Sequence, residues 1–547
     1  MVAGIEDLTF PKLTPAELDL LRPFAVSVAF ADGDIVFRAG TAELDLFVVT
    51  DGAIEIRNPA DGDAVVATHP TGGFAGDIDL LTGRPTVVSG HAKGATRVLR
   101  VPHAMVRGLL NRVPSFGEKL IVALTRRREA LSMAGKLGIT VLGSGHCKDT
   151  NLVREFLHKN FVPFRWVDSE TDAGRAALAN QPPACKKPVV DCGSKQVLFN
   201  PTLRELAKCA GIWRACPGER VDLAVVGAGP AGIAAAVYAA SEGLSTLLLD
   251  RLGPGGQAGG SSKIENFIGF PAGLSGTDLA TRGVLQMLKF GAKMAAPVTV
   301  DRVEVPADIR EPRRLHLDCD TVIQARVVLI ATGVGWRKLP ALGAERFEAA
   351  GIHYVCTAVE AVLYDESDVA VVGGGNSAGQ AAMHLAECCR TRRVHLVVRS
   401  PLDKSMSDYL VSRIRGTANI CVHEGSAITE VEGNHRLEFV HIERTASGER
   451  NRLPCAGVFV FIGADPAVGW LPPEIARDDL GYVLTGSDVL RSGRWPVADR
   501  DPCPLETSLP GVLAAGDVRA GSTKRVGFAV GDGSLAVTCT HRLLSQG

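Results

Sequence analysis

VDLAVVGAGPAGIAAAVYAASEGLSTLLLD, residues 221–250, decides the fold. An apolar run, Val221 to Val226, gives way to Gly227-x-Gly229-x-x-Gly232, then to an alanine-rich stretch and a second apolar run that ends in Asp250. Each glycine has a separate task. Gly227 permits a tight turn, Gly229 lets a pyrophosphate approach the backbone, and Gly232 allows the helix to lie close on the strand. The helix N-terminus offers free N–H groups and the positive end of its dipole, and Asp250 is placed to accept from a ribose hydroxyl. The spacing predicts a β-α-β unit that binds a dinucleotide.

The pattern recurs in DVAVVGGGNSAGQAAMHLAECCRTRRVHLVVRS, residues 368–400. Here Val369–Val372 form the strand and Gly373-x-Gly375-x-x-Ala378 the turn, with Asn376 and Ser377 opening the helix; alanine in third place is an accepted variant. After the second strand comes Arg399 in place of an acid. A guanidinium can grip a 2′-phosphate that a carboxylate would repel, so this site favours NADPH over NADH, the alternative being a solvated surface arginine. Lys404 belongs to the same candidate set, and Asp408 offsets its charge. Two such units on one chain imply hydride exchange between a nicotinamide and a flavin.

From about residue 219 to the end the chain resembles the low-molecular-weight thioredoxin reductases, a family of FAD- and NADPH-dependent flavoproteins. GPGGQAGGSSKIENFIGFP (253–271) is similar to that family's flavin-contacting loop, with Gly256, Gln257, Glu265 and Asn266 in its pattern. VVLIATG (327–333), ending in Thr332 and Gly333, resembles the strand and turn that close the FAD domain before the NADPH domain is inserted. GVFVFIGADP (457–466) looks like the return segment, and GVLAAGDVRAGSTKRVGFAVGDGSLA (511–536) like the final flavin motif. In that motif the resemblance implies that Asp517 bonds the ribityl chain and that Lys524-Arg525-Val526 face the flavin pyrimidine. A positive charge and N–H donors there would stabilise reduced flavin. The resemblance further implies a homodimer and an NADPH domain that swings to alternate access to the flavin.

The chain departs from the family at HYVCTAVEAVLY, residues 353–364. The family's C-x-x-C dithiol would place its first thiol at Cys356 and its second at Val359, and a valine cannot accept electrons. The disulfide shuttle through an adjacent pair is therefore closed. Cys388-Cys389, on the helix expected after the second glycine turn, would point about 100° apart and offers no ready substitute. Cys356 is either a small apolar packing residue or a single thiol that forms a mixed disulfide with a partner. Ser400 replaces the family's second phosphate-binding arginine. Acceptors compatible with the pattern are ferredoxin-like one-electron proteins, quinones, small disulfides, oxygen, or thioredoxin through Cys356 and another thiol.

The first third reads differently. Residues 1–135 carry short β segments with glycine and aspartate turns, a pattern that suggests a jelly-roll β-roll. GDIVFRAGTAELDLFVVTDGAIEI followed by FAGDIDLLTGRPTVVSG resembles a cyclic-nucleotide-binding domain. Gly76, Asp77, Leu80, Leu81 and Pro85 match its phosphate cassette, but the cassette arginine that would pair with the cyclic phosphate falls on Thr86. Loss of that charge-assisted pair weakens cyclic-nucleotide binding. Arg84 would point the wrong way to replace it. A retained roll used for packing or dimer contacts is the alternative reading.

Residues 137–215 give strand, turn, helix, strand, then strand, hairpin, helix, an order that resembles a thioredoxin or glutaredoxin-like domain. Cys147 stands where the first redox cysteine would, Thr150 where the second would, and Pro188 at the family's cis-proline. Cys147, at a helix N-terminus, is a candidate reactive monothiol, or an inert remnant. The expected organisation is multidomain: roll (1–135), α/β thioredoxin-like domain (137–215), then a Rossmann-like α/β reductase. The reductase divides into FAD domain, first part (219–337), NADPH domain (338–456) and FAD domain, second part (457–547).

Bulk properties set the remaining limits. At 547 residues the chain is too long for one core. A net charge of −1 gives no global field for nucleic acid or an anionic membrane. The first residues lack a basic, then apolar, targeting pattern, no run of about 18 apolar residues occurs, and the expectation is a cytoplasmic protein without a metal site. The 13 cysteines are expected to be mostly reduced, buried packing residues. A redox or nucleotide sensor with little turnover is the reading from a different class.

Overall fold

The computed structural model describes residues 8–545 apart from 60–61, 77–78, 135–138, 180–186, 194–195, 214–219, 262–263, 265, 307, 309, 349, 357–360, 362, 365 and 435. Glu265, Asp77 and Val359 therefore lie outside the described residues. Among those described, the chain forms six sheets, and their order follows the patterning of the sequence.

In the first unit, alternating strands pair antiparallel in the order Val26–Phe30, Ser89–Val101, Leu46–Asn58, Ala64–Pro70. Ile35–Phe37 pairs with Ser89–Val101 and Phe74–Ala75 with Leu46–Asn58, both antiparallel. The roll closes on the helices His103–Arg112 and Pro114–Ala134. Thr14 and Glu17 form a capping box on helix Pro15–Leu21. The second unit is a sheet in the order Val197–Phe199, Val189–Asp191, Ile139–Leu142, Phe164–Val167, with only the last two strands parallel to each other. Helix Lys148–Lys159 links those two strands, and the Lys187–Pro188 peptide is cis.

The decisive strand, Arg220–Val226, sits between Thr246–Leu249 and Val322–Ile330, parallel to both. Leu223 to Val226 are all buried, as a strand covered on both faces requires. Its helix, Pro230–Ser241, is rich in alanine because the C-terminal helix Val526–Ser545 lies hard against it. A Cβ added to Gly533 would meet the Ala231 carbonyl oxygen at 2.3 Å. Val369–Val372 repeats the arrangement between Gly457–Val460 and Val394–Val398 in an all-parallel sheet. The chain passes between these two nucleotide folds through one antiparallel ribbon, Val334–Trp336 against Ala464–Pro466.

The cores are not sealed from each other. Leu285, on helix Gly276–Phe290 of the flavin fold, belongs to the apolar core of the roll, and Phe161 of the second unit packs against both. No described helix is long and apolar enough to cross a membrane.

The cysteines correct the expectation that most are buried. Of the nine described free thiols, only Cys455, Cys503 and Cys539 are buried, and Cys192 is joined to Cys209 with Cα atoms 6.0 Å apart. Of the others, Cys388 is exposed and Cys147, Cys319, Cys356, Cys389 and Cys421 are half-buried. Cys388 is the last residue of its helix, but Cys389 has left it, with φ −143° and ψ 108°. The chain must turn there to insert Arg392, fully buried, whose guanidinium donates to the carbonyls of Ala361, Tyr364 and Leu385.

Two buried imidazoles give the fold a pH dependence. Burial, then the charge of Arg127, hold His69 down to about 3. Burial and the neighbouring His423, with Nδ1 and Nε2 3.1 Å apart, hold His395 down to about 4. The unfolded chain protonates both near 6.5, so it binds more protons than the folded chain below that pH, and stability rises with pH across the window. The melting temperature is expected to fall steadily as pH is lowered from 6.5 towards 4. His69→Phe should flatten part of that slope in calorimetry.

Candidate functional site

The first glycine turn has the geometry its sequence demands. Gly227 adopts φ +108°, and a Cβ on it would lie 2.4 Å from the Ala331 carbonyl oxygen. On Gly232 a Cβ would fall 1.9 Å from the Gly227 carbonyl oxygen. Gly229 caps helix Pro230–Ser241, and the nearest atom to its Cβ position is 4.0 Å away, on Gly256. That open space at a helix N-terminus is a cradle for a pyrophosphate. Gly256, at φ +54°, brings the loop over the same spot. Asp250 accepts from the backbone N–H groups of Ala228, Leu252 and Gly253, each at 2.8 Å, so its carboxylate holds the turn.

Gln257 donates to the Val334 carbonyl, and the Thr332 hydroxyl to that of Ala467 at 2.9 Å, so both pin the crossing ribbon. Gly333 provides the left-handed turn, φ +63°. Asn266 is exposed. Burial, followed by the nearby Asp532, raises the Asp517 carboxyl above the usual range, against the opposing charge of Lys524. The Lys524 ammonium donates to the Tyr482 hydroxyl at 2.5 Å and sits 4.8 Å from that ring's centre. Arg525 is exposed, and its carbonyl accepts the Ala529 N–H as Val526 opens the last helix. Tyr482 and the Arg519–Asp532 ion pair, 3.2 Å, are parts of this region that sequence reading missed. Neither belongs to a spaced motif, so nothing in the pattern singles them out.

The second turn repeats the first. Gly373 has φ +144° with a Cβ position 2.4 Å from the Phe461 carbonyl oxygen, whereas Gly375, capping helix Asn376–Cys388, has nothing within 4 Å. Ala378 is fully buried against the strand. The Asn376 side chain accepts from the Ser407 N–H at 2.8 Å, tying the turn to the loop that carries Lys404. Ser377, Arg399 and Lys404 are exposed around it.

Cys356 packs half-buried against the core of the nicotinamide fold. Its neighbour Val355 lies against the flavin loop, 3.5 Å from the Cβ position of Gly260. Cys147 caps helix Lys148–Lys159, and its turn faces the same segment. The rings of His146 and Tyr364 are 6.3 Å apart, Lys148 pairs with Glu348 at 3.8 Å, and the Cβ position of Gly145 is 3.6 Å from Leu363. Thr150 is fully buried beside Gly143, its hydroxyl unpartnered. In the roll, Gly76 (φ +144°) closes on Leu80 and Thr86 is buried, its N–H donating to the Thr41 carbonyl. Among the described residues no group of three or more His, Cys, Asp or Glu is placed to hold a metal.

Comparison with known proteins agrees with this geometry. Residues 221–533 match the pyridine nucleotide-disulphide oxidoreductase family, and residues 27–113 the cyclic nucleotide-binding domain. The chain belongs to the pyridine nucleotide-disulphide oxidoreductase family. It is 30% identical over 327 residues to a 34.2 kDa protein in the rubredoxin operon of Clostridium pasteurianum, covering 60% of this chain and 98% of that one. It is also 30% identical over 322 residues to a thioredoxin reductase of Listeria innocua, covering 58% of this chain and 91% of the relative. The crystal structure of T. acidophilum thioredoxin reductase superposes with a TM-score of 0.51 at 27% identity, over 60% of this chain and 99% of that one. The protein is an FAD-dependent NAD(P)H oxidoreductase of thioredoxin reductase type with a cyclic nucleotide-binding-type domain before it, and its cofactors are those of the family, FAD and NADPH. The two open glycine cradles fit these groups.

Proposed function

We propose that this oxidoreductase takes electrons from NADPH and passes them from its flavin to an acceptor other than a dithiol of its own. The single observation that carries the reading is the sequence Cys356-Thr357-Ala358-Val359 on the segment that touches the flavin loop, with valine where the family's second thiol would stand. When bound, the nicotinamide and flavin supply hydride transfer and storage of two electrons. The chain's own residues do the rest. The turns at Gly229 and Gly375 hold the pyrophosphates, Asp250 and Asp517 face the ribose and ribityl hydroxyls, and Lys524, steadied by Tyr482, places positive charge at the pyrimidine edge. Arg399 and Lys404 take the 2′-phosphate. A ferredoxin-like or other one-electron iron protein is the favoured acceptor, supported by the relative in a rubredoxin operon.

We place the domain divisions at 1–135, 137–215, 219–337, 338–456 and 457–547, supported by apolar cores centred on the roll, the second unit and the nicotinamide fold, and by one core shared between 219–337 and 457–547. The second of them is thioredoxin-like, a reading supported by its strand order and by a helix between its two parallel strands. The protein acts in the cytoplasm as a homodimer.

A second reading, a thioredoxin-disulfide reductase that pairs Cys356 with Cys147, is favoured by one contact: the Cys147 turn packs on the segment that carries Cys356. Anaerobic titration with NADPH, followed by a panel of acceptors, separates the two. Bleaching complete at two electrons per flavin, and turnover unchanged in Cys356→Ser and Cys147→Ser, is the expected result. Loss of turnover in either variant, or uptake of four electrons, would establish the second.

A further inference from the structure

The phosphate cassette of the roll packs against the neighbouring units. Its loop, 79–86, lies at a junction of three units. Arg84 turns outward and donates through Nη1 to the backbone carbonyl of Asn160, at the end of helix Lys148–Lys159. Pro85 packs on Gly211, whose Cβ position is 3.3 Å from the proline ring. Thr86, which replaces the arginine expected to meet a cyclic phosphate, is 4% exposed, and its hydroxyl and N–H bond to carbonyls within the roll. The cation that would hold the phosphate is absent from its place, and the nearest arginine along the chain is engaged elsewhere.

Asn160 carries the contact onward. It is 1% exposed, and its side-chain amide donates to the carbonyls of Phe156, at 2.9 Å, and of Leu252, at 2.7 Å. Gly253 abuts the same amide, with a Cβ position 2.7 Å away. Leu252 and Gly253 supply two of the three backbone N–H groups that hold Asp250, the acid of the first dinucleotide turn. Phe161, next in sequence, packs against the cores of both roll and flavin fold, and Leu285 of the flavin fold is buried within the roll.

We infer that the cassette loop no longer receives a cyclic nucleotide and instead serves as an internal dock, which fixes the flavin-ribose loop 250–253 through Arg84 and Asn160. The partner of the cassette is the chain itself. A cationic donor on a carbonyl, followed by a buried amide, is a rigid link, and its loss frees the loop that orients Asp250.

The test uses the full-length holoprotein. Calorimetric titration with cyclic AMP and cyclic GMP to about 1 mM is expected to show no binding. Release of FAD is followed by the recovery of free-flavin fluorescence, well below the melting transition of each variant, so that the rate reports the loop and not the folded fraction. Arg84→Ala and Asn160→Ala are each expected to speed release about tenfold, with the double variant little faster than either. Arg84→Lys, which keeps a cationic donor, should fall between. Saturable binding of either cyclic nucleotide to the wild type overturns the inference, and so does an unchanged release rate in Arg84→Ala. Neither result bears on which acceptor the flavin serves.

Discussion

Gly232→Val yields a chain that no longer takes up flavin. The position has no room for any side-chain carbon, because a Cβ would lie 1.9 Å from the Gly227 carbonyl oxygen and 3.2 Å from Val225 Cγ1. Neither the oxygen nor its peptide can move without opening the turn whose N–H groups face the pyrophosphate. Overpacking of a tight core costs about 1–3 kcal/mol even where side chains can give, and here the obstacle is backbone. FAD affinity is expected to drop at least about a hundredfold, equivalent to about 2.7 kcal/mol. The absorbance of purified protein at the flavin band relative to the protein band measures it directly. Gly335→Ala, where the nearest atom to the new carbon is 4.0 Å away, is the matched control and should keep its colour.

Glu506→Ala is expected to cost about 3–5 kcal/mol of stability in the flavin fold. Glu506 is fully buried and accepts four hydrogen bonds: from Arg500 at 2.7 and 2.8 Å, from the Cys503 N–H at 2.9 Å and from the Gly511 N–H at 2.8 Å. Alanine leaves a largely buried guanidinium and two amides without their acceptor, which is the expensive way to break such a cluster. The turn it anchors leads into strand Val512–Ala514 and then to Asp517, so the flavin environment should report the loss. Urea unfolding followed by flavin fluorescence is the measurement, with a lower midpoint at an unchanged slope as the expected outcome. A variant as stable as the parent would show that the cluster is dispensable.

Which parts of this molecule a reader of the sequence could see follows from the range of the forces involved. Gly227, Gly229, Gly232, Gly373 and Gly375 were legible because each is dictated by atoms only a few residues away or by the one strand beside it. The strands of the roll were legible from alternation and turn residues for the same reason. Glu506 was not, although Arg500, Cys503 and Gly511 lie close by in sequence, since no spaced motif marks an acid that an irregular loop will bury. The Arg84–Asn160–Leu252 chain was still less accessible, because its bonds span 76 and 92 residues of sequence. Family resemblance predicted that Arg84 points away from a phosphate, but not what it reaches. Nor did the helical pattern through Cys388-Cys389 reveal that burial of Arg392 ends the helix one residue early.

The ribbon between the nucleotide folds has a consequence for how such a protein can be built and rebuilt. Val334 faces Pro466 and Trp336 faces Ala464, so the chain departs and comes home at a single doorway. The intervening half is topologically an enlarged hairpin loop, and closing that loop costs entropy that grows only slowly with its length. A different nicotinamide-binding half could therefore be grafted through the same doorway, leaving the connectivity of the flavin-holding half untouched.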